Sequence, residues 1–110
     1  MLIKAKQKGD CNMFYVLMEQ FGRYASETEK TTTVTEDRVI AVYDENHFND
    51  AIASMMLCEW RHIWNVGITL CYYVAEWKEN MIMEQKIVAI RYETCSRIND
   101  EYMIPEDFLA

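Results

Sequence analysis

Cys11-Asn12-Met13-Phe14-Tyr15-Val16-Leu17-Met18-Glu19-Gln20-Phe21-Gly22-Arg23-Tyr24-Ala25 is the stretch whose reading decides the fold. At about 100° per residue, Met13, Phe14, Leu17, Met18, Phe21, Tyr24 and Ala25 fall on one side, with Asn12, Glu19, Gln20 and Arg23 on the other. The pattern predicts an amphipathic helix packed on a flat surface. Asp10, after Gly9, stands at its N-cap position, and the polar run 26–30 ends it.

Upstream, residues 2–7 read as a short strand in which Leu2 alternates with Lys4 and Lys6. Downstream, 31–43 is β-branched and aromatic, interrupted only by Glu36-Asp37. Either it is one long strand, or 31–35 and 38–43 form a hairpin about Glu36-Asp37. We prefer two strands, because Val39-Ile40-Ala41-Val42-Tyr43 is apolar on both faces and reads as interior. The Thr-rich arm is then an edge.

Asp44-Glu45-Asn46 opens a second helix expected to reach about Trp64, with Asp44 or Asn46 as its cap. Phe48, Ile52, Met55, Met56 and Ile63 build its main apolar face, beside a second stripe of Ala53, Leu57, Trp60 and Trp64. After Asn65 the period becomes two. Ile68, Leu70, Tyr72 and Val74 oppose Thr69, Cys71, Tyr73, Ala75 and Trp77, and 86–93 alternates again after a turn at 78–80. This is a β-hairpin. Residues 94–100 read as a loop, 102–104 as a short strand, and 105–110 as an acidic tail.

The expected fold is α+β: a two-layer sandwich of a mostly antiparallel sheet with two helices on one face, in the order β-α-β(β)-α-β-β. The 110 residues form one domain, 51% apolar, able to bury roughly two-thirds of the unfolded surface. No apolar run approaches the roughly 20 residues of a membrane helix. The N-terminus lacks a signal-peptide pattern, so a cytoplasmic protein without a membrane partner is expected. Cys11, Cys58, Cys71 and Cys95 form no CxxC pair and read as free thiols.

The glycines at 9, 22 and 67 are isolated, which excludes GxGxxG and GxxxxGK[ST] phosphate loops. GxSxG, HExxH and EF-hand spacings are also missing. No catalytic residue, cofactor or metal is expected. Cys58 and His62, four apart on the second helix with Glu59 beside them, would share a face able to meet a metal or a substrate. The plainer reading is that Cys58 is packed, His62 lies at the helix edge and Glu59 pairs with a strand residue such as Arg91.

Charge placement is the most usable functional signal. The net charge is −7, from 18 acids and 11 bases. Residues 26–50 carry −5 and 99–110 carry −4, while 51–98 balance and 1–25 carry +2. Such a surface repels nucleic acid and suits a basic protein. The expected function is therefore that of a small acidic binding protein. It would neutralise a basic partner such as a nuclease toxin, in the manner of immunity proteins and phage-encoded inhibitors. The residues expected to touch that partner are Glu36, Asp37, Asp44, Glu45, Asp50, Asp100 and Glu101, with Trp60 and Trp64 as apolar anchors. The alternative is a small homodimeric enzyme or ligand-binding domain using Glu59 and His62.

Overall fold

The computed structural model describes residues 13–26, 28–78, 85–99 and 101–103. The elements are β1 (Met13–Tyr24), β2 (Thr32–Asp44), α1 (Phe48–Leu57), β3 (His62–Ile63), β4 (Gly67–Lys78), β5 (Gln85–Arg91), β6 (Ser96–Ile98) and β7 (Glu101–Met103). They build one antiparallel sheet in the order β2-β1-β4-β5-β6-β7, with β3 paired to β4. The expected two-helix sandwich is overturned: among the described residues there is one helix, on a sheet-dominated fold.

The decisive stretch is a strand. β1 lies between β2 and β4 in the sheet's interior, so both of its edges are paired, and it carries buried side chains on both faces. Leu17 joins the cluster beneath α1, with Ala51, Ile52, Met55, Tyr72, Val74, Val88 and Ala89. Its neighbours Val16 and Met18 point the other way, into a second cluster with Cys71, Tyr73 and Ala75. A strand that is apolar on both faces loses the two-residue alternation that marks half-buried strands, and its run of apolar residues imitates a helical stripe.

Residues 32–44 form one strand, the option set aside above, and among the described residues it is the edge of the sheet rather than its interior. Glu36 and Asp37 pair across to Phe21 and Gln20 instead of turning the chain. Two register shifts interrupt this pairing, leaving Ile40 as an extra residue between Val39 and Ala41 and Thr33 as one between Thr32 and Val34.

The second helix is also shorter than expected. It begins at Phe48, with His47 at the N-cap position making no side-chain cap bond, and ends at Leu57. Arg91 Nη1 donates to the carbonyls of Met55 (3.1 Å) and Cys58 (2.6 Å), satisfying the helix's C-terminal end with a cation where the dipole favours one. Tyr72 Oη donates to the Glu59 carbonyl, and the Thr69 N–H donates to the Arg61 carbonyl at 2.9 Å. These bonds draw 58–63 onto the sheet, where Asn65, at φ 62°, turns β3 back into β4.

The hairpin of β4 and β5 is as expected, whereas β6 occupies what read as loop and β7 starts one residue before the expected short strand. Of the turn expected at 78–80, Lys78 is still in β4; its other two residues, the strand at 2–7, the cap at Asp10 and the tail at 105–110 lie outside the described residues. Cys58, Cys71 and Cys95 are free thiols, and burial pushes Cys71 up to about 11, with a smaller contribution from Asp37.

Gly67 sits where β4 passes β1. A Cβ there would meet the Gly22 carbonyl oxygen at 2.2 Å and Arg23 Cα at 3.0 Å, both backbone atoms that cannot swing aside. Gly67→Ala should destabilise the domain by about 2 kcal/mol or more, read as a lowered urea midpoint.

Candidate functional site

The sheet face that carries α1 continues past the helix end. Tyr15, Leu17, Glu19, Phe21 and Arg23 alternate along this face of β1, and the helix covers only the first two. Glu19 is fully buried. Its carboxylate accepts from Arg61 Nε at 2.8 Å and Nη2 at 2.9 Å, from Thr69 Oγ1 at 2.7 Å, and from Arg38 Nη2 at 3.1 Å and Nε at 3.3 Å. Burial alone would raise this carboxyl. The bonds from Arg61, Thr69 and Arg38 outweigh it and hold Glu19 below the ordinary glutamate range.

Beyond Glu19 opens a cleft of about 460 Å³. Its lining includes Phe21, Arg23, Glu36, Arg38, Arg61 and Ile63. The Arg61 guanidinium lies 4.6 Å from the Phe21 ring centroid, and Arg23 is bridged to Glu36 at 2.6 Å. The three arginines balance the acids of this cleft, so it is not itself acidic. Sequence reasoning placed Glu19 on the polar side of a helix and missed the cluster. The available signal was a single carboxylate inside a twelve-residue apolar strand, which demands cationic partners once buried.

The expected contact residues are dispersed. Glu36 and Asp37 both border the cleft, but the Asp37 carboxylate turns to the opposite face, accepting from the Tyr73 hydroxyl and from Gln20 Nε2 (3.3 Å). Asp44 is seven residues further along β2, about 23 Å at a strand rise of ~3.3 Å per residue. Its Oδ1 accepts from the Asn46 N–H at 2.9 Å and meets His47 Nδ1 at 2.5 Å. Glu45 and Asp50 follow in the turn and in the first turn of α1. Glu101 lies on β7, with four strands between it and β2, so the described part of the second acidic segment does not join the first. Asp100 is outside the described residues.

The tryptophans separate as well. Trp60 is half-buried against the helix-side core, edge-on to Tyr72, with Arg91 5.9 Å from its ring. Trp64 is 72% exposed, with the Lys30 ammonium 4.3 Å from its ring centroid, and that lysine ties it to the chain entering β2. Cys58 and His62 do not share a helical face, because the helix ends before both. Cys58 Sγ donates to the Ser54 carbonyl at 3.2 Å, and His62 Nε2 is 3.0 Å from the Tyr24 hydroxyl. Glu59 is exposed, and Arg91 takes backbone carbonyls rather than its carboxylate. No group of three His, Cys, Asp or Glu side chains among the described residues could hold a metal ion, and no helix there is long and apolar enough to cross a membrane.

The chain matches no protein-family model, no curated protein and no solved structure.

Two titrations follow. Because Glu19 is held below its unfolded value, its contribution to stability is present above about pH 4.3 and is lost as pH falls through the lower folded value. Glu19→Gln should remove that part of the acid-unfolding slope and lower stability at pH 7 by about 3 kcal/mol, measured by urea melts from pH 2 to 7. His47 is raised by its bond to Asp44 and by that residue's charge, so this pairing favours the fold below about pH 6.5 and fades as pH rises through the raised value. By NMR, His47 should titrate above 6.5 and return toward it in Asp44→Asn.

Proposed function

We propose that this chain is a small acidic protein-binding domain that neutralises a partner with a basic surface, of the kind nucleases and other nucleic-acid enzymes present. The observation that carries the reading is the segment 32–50. Residues 32–40 are all exposed, and Val34, Val39, Ile40 and Val42 stand open on the same strand as Glu36, Asp37 and Asp44. Apolar β-branched side chains interleaved with carboxylates suit a protein contact: desolvation supplies affinity, and charge steers encounter and selects against acidic surfaces.

Trp64 extends this surface beyond the start of β2, with its indole available as an anchor. Trp60 and Glu101 are left out of the contact, the first by burial and the second by its place on the far edge. We place the chain in the cytoplasm, where thiols such as Cys58, Cys71 and Cys95 stay reduced.

Capture from the native host with tagged chain should enrich a protein whose isoelectric point lies above about 9. With that protein in hand, calorimetry should show affinity falling as salt rises from 50 to 300 mM. The triple charge reversal Glu36→Lys/Glu45→Lys/Asp50→Lys should weaken binding by at least about tenfold. Affinity indifferent to both salt and charge reversal would sink the reading.

A further inference from the structure

The outer edge of β2 indicates how such a partner docks. Natural edge strands are guarded against pairing by shortness, by Lys or Pro, or by bulges. β2 is 13 residues long and holds neither Lys nor Pro. Its two irregularities are the extra residues Thr33 and Ile40, so the longer arm, 33–39, opens on a bulge and is regular from Val34, and the shorter arm is 41–44. Among the described residues it is hydrogen-bonded to β1 on one side only. No described residue pairs with the row of backbone N–H and C=O groups on the outer side of the longer arm, where β-branched side chains favour strand pairing.

Resting on the reading above, we propose that the 33–39 edge takes an extended segment of the basic partner as an added antiparallel strand. Two consecutive basic residues of that segment would face Glu36 and Asp37, with β-branched residues on either side. Backbone bonds give the docking its geometry, and the side chains give it selectivity. Charge on the arm supports the assignment. Its only base, Arg38, directs two nitrogens at buried Glu19, whereas Glu36 is held by a bridge to Arg23 that is about half exposed on both sides. Such a bridge exchanges partners at little cost. A second copy of the chain fits poorly. With the 33–39 arms fully overlapped, the two-fold sets Glu36 opposite Glu36 of the copy, a destabilising like-charge pair.

The probe is a nine-residue synthetic peptide with a central Lys-Lys flanked by alternating Val and Thr, titrated into the isotope-labelled full chain. Binding should shift the amide resonances of 33–39 and slow their hydrogen exchange. A Glu-Glu peptide should bind at least tenfold more weakly. N-methylation of one alternate set of peptide amides should weaken binding at least tenfold, while the other set leaves it unchanged, since only one set faces β2. Glu36→Lys, with its fold checked by circular dichroism, should weaken the Lys-Lys peptide and favour the Glu-Glu one. If both methylated peptides bind like the parent, strand addition is wrong while the basic-partner reading stands. Equal affinity for Lys-Lys and Glu-Glu peptides overturns that reading too. If no peptide perturbs 33–39, the strand-addition proposal fails by itself.

Discussion

The buried Glu19 carboxylate ties together more of this molecule than any other group. It sits in the middle of β1, yet its five hydrogen bonds come from β2, from the segment after α1 and from β4. Removing a carboxylate from water costs several kcal/mol unless its lone pairs are met, and breaking such a set is far more costly than never having it. The set can be completed only if Arg38 stands opposite Glu19 across the strand pair and Arg61 arrives from above. The first condition fixes the register of β2. The second requires the chain to leave the helix soon after Leu57 and reach the sheet, which it does, aided by the carbonyls that Arg91 and Tyr72 hold in place.

A second constraint follows from the short helix. Ten residues of α1 cover the middle of one face, while the cluster of Val16, Met18, Cys71, Tyr73 and Ala75 forms on the other. The central strands β1 and β4 are therefore apolar on both sides. β2 is not, because it stands at the end of the strand order, where only Ala41 and Tyr43 reach the helix-side core. Its remaining apolar residues are left at the surface by topology, and this is why a strand so rich in valine and isoleucine is exposed.

This also explains what could be read from the amino acids. β4 and β5 were legible because Ile68 to Ala75 and Lys86 to Arg91 alternate over their lengths. The heart of α1 was legible because Phe48, Ile52 and Met55 recur at helical spacing and do face the core. β1 was misread because Leu17 and Met18, adjacent on one helical stripe, are buried on opposite faces of a sheet, which periodicity cannot distinguish. The helix end was misread because Trp60, Arg61 and His62 are acceptable helix residues, and only tertiary partners make them leave it. Of the candidate site, the identity of the acidic segment 26–50 was visible in its composition. Its geometry was not, since whether Glu36 and Asp37 turn the chain or lie flat in an edge strand depends on β1 being a strand at all.

Net charge therefore says less about function here than its placement does. The acids of β2 and Glu101 of β7 stand at the two ends of the strand order, and several are already engaged: Glu36 with Arg23, Asp37 with Tyr73 and Gln20, Asp44 with His47. Of these, the Glu36 and Asp44 pairs are the more exposed and the easier to exchange. Asp37, bonded to a buried tyrosine, keeps its place. A basic partner would thus meet charges that are partly satisfied, which limits the affinity that ion pairs alone can give. In the proposed complex, charge would speed approach and reject acidic competitors, while the backbone and the exposed valines of β2 would supply the hold.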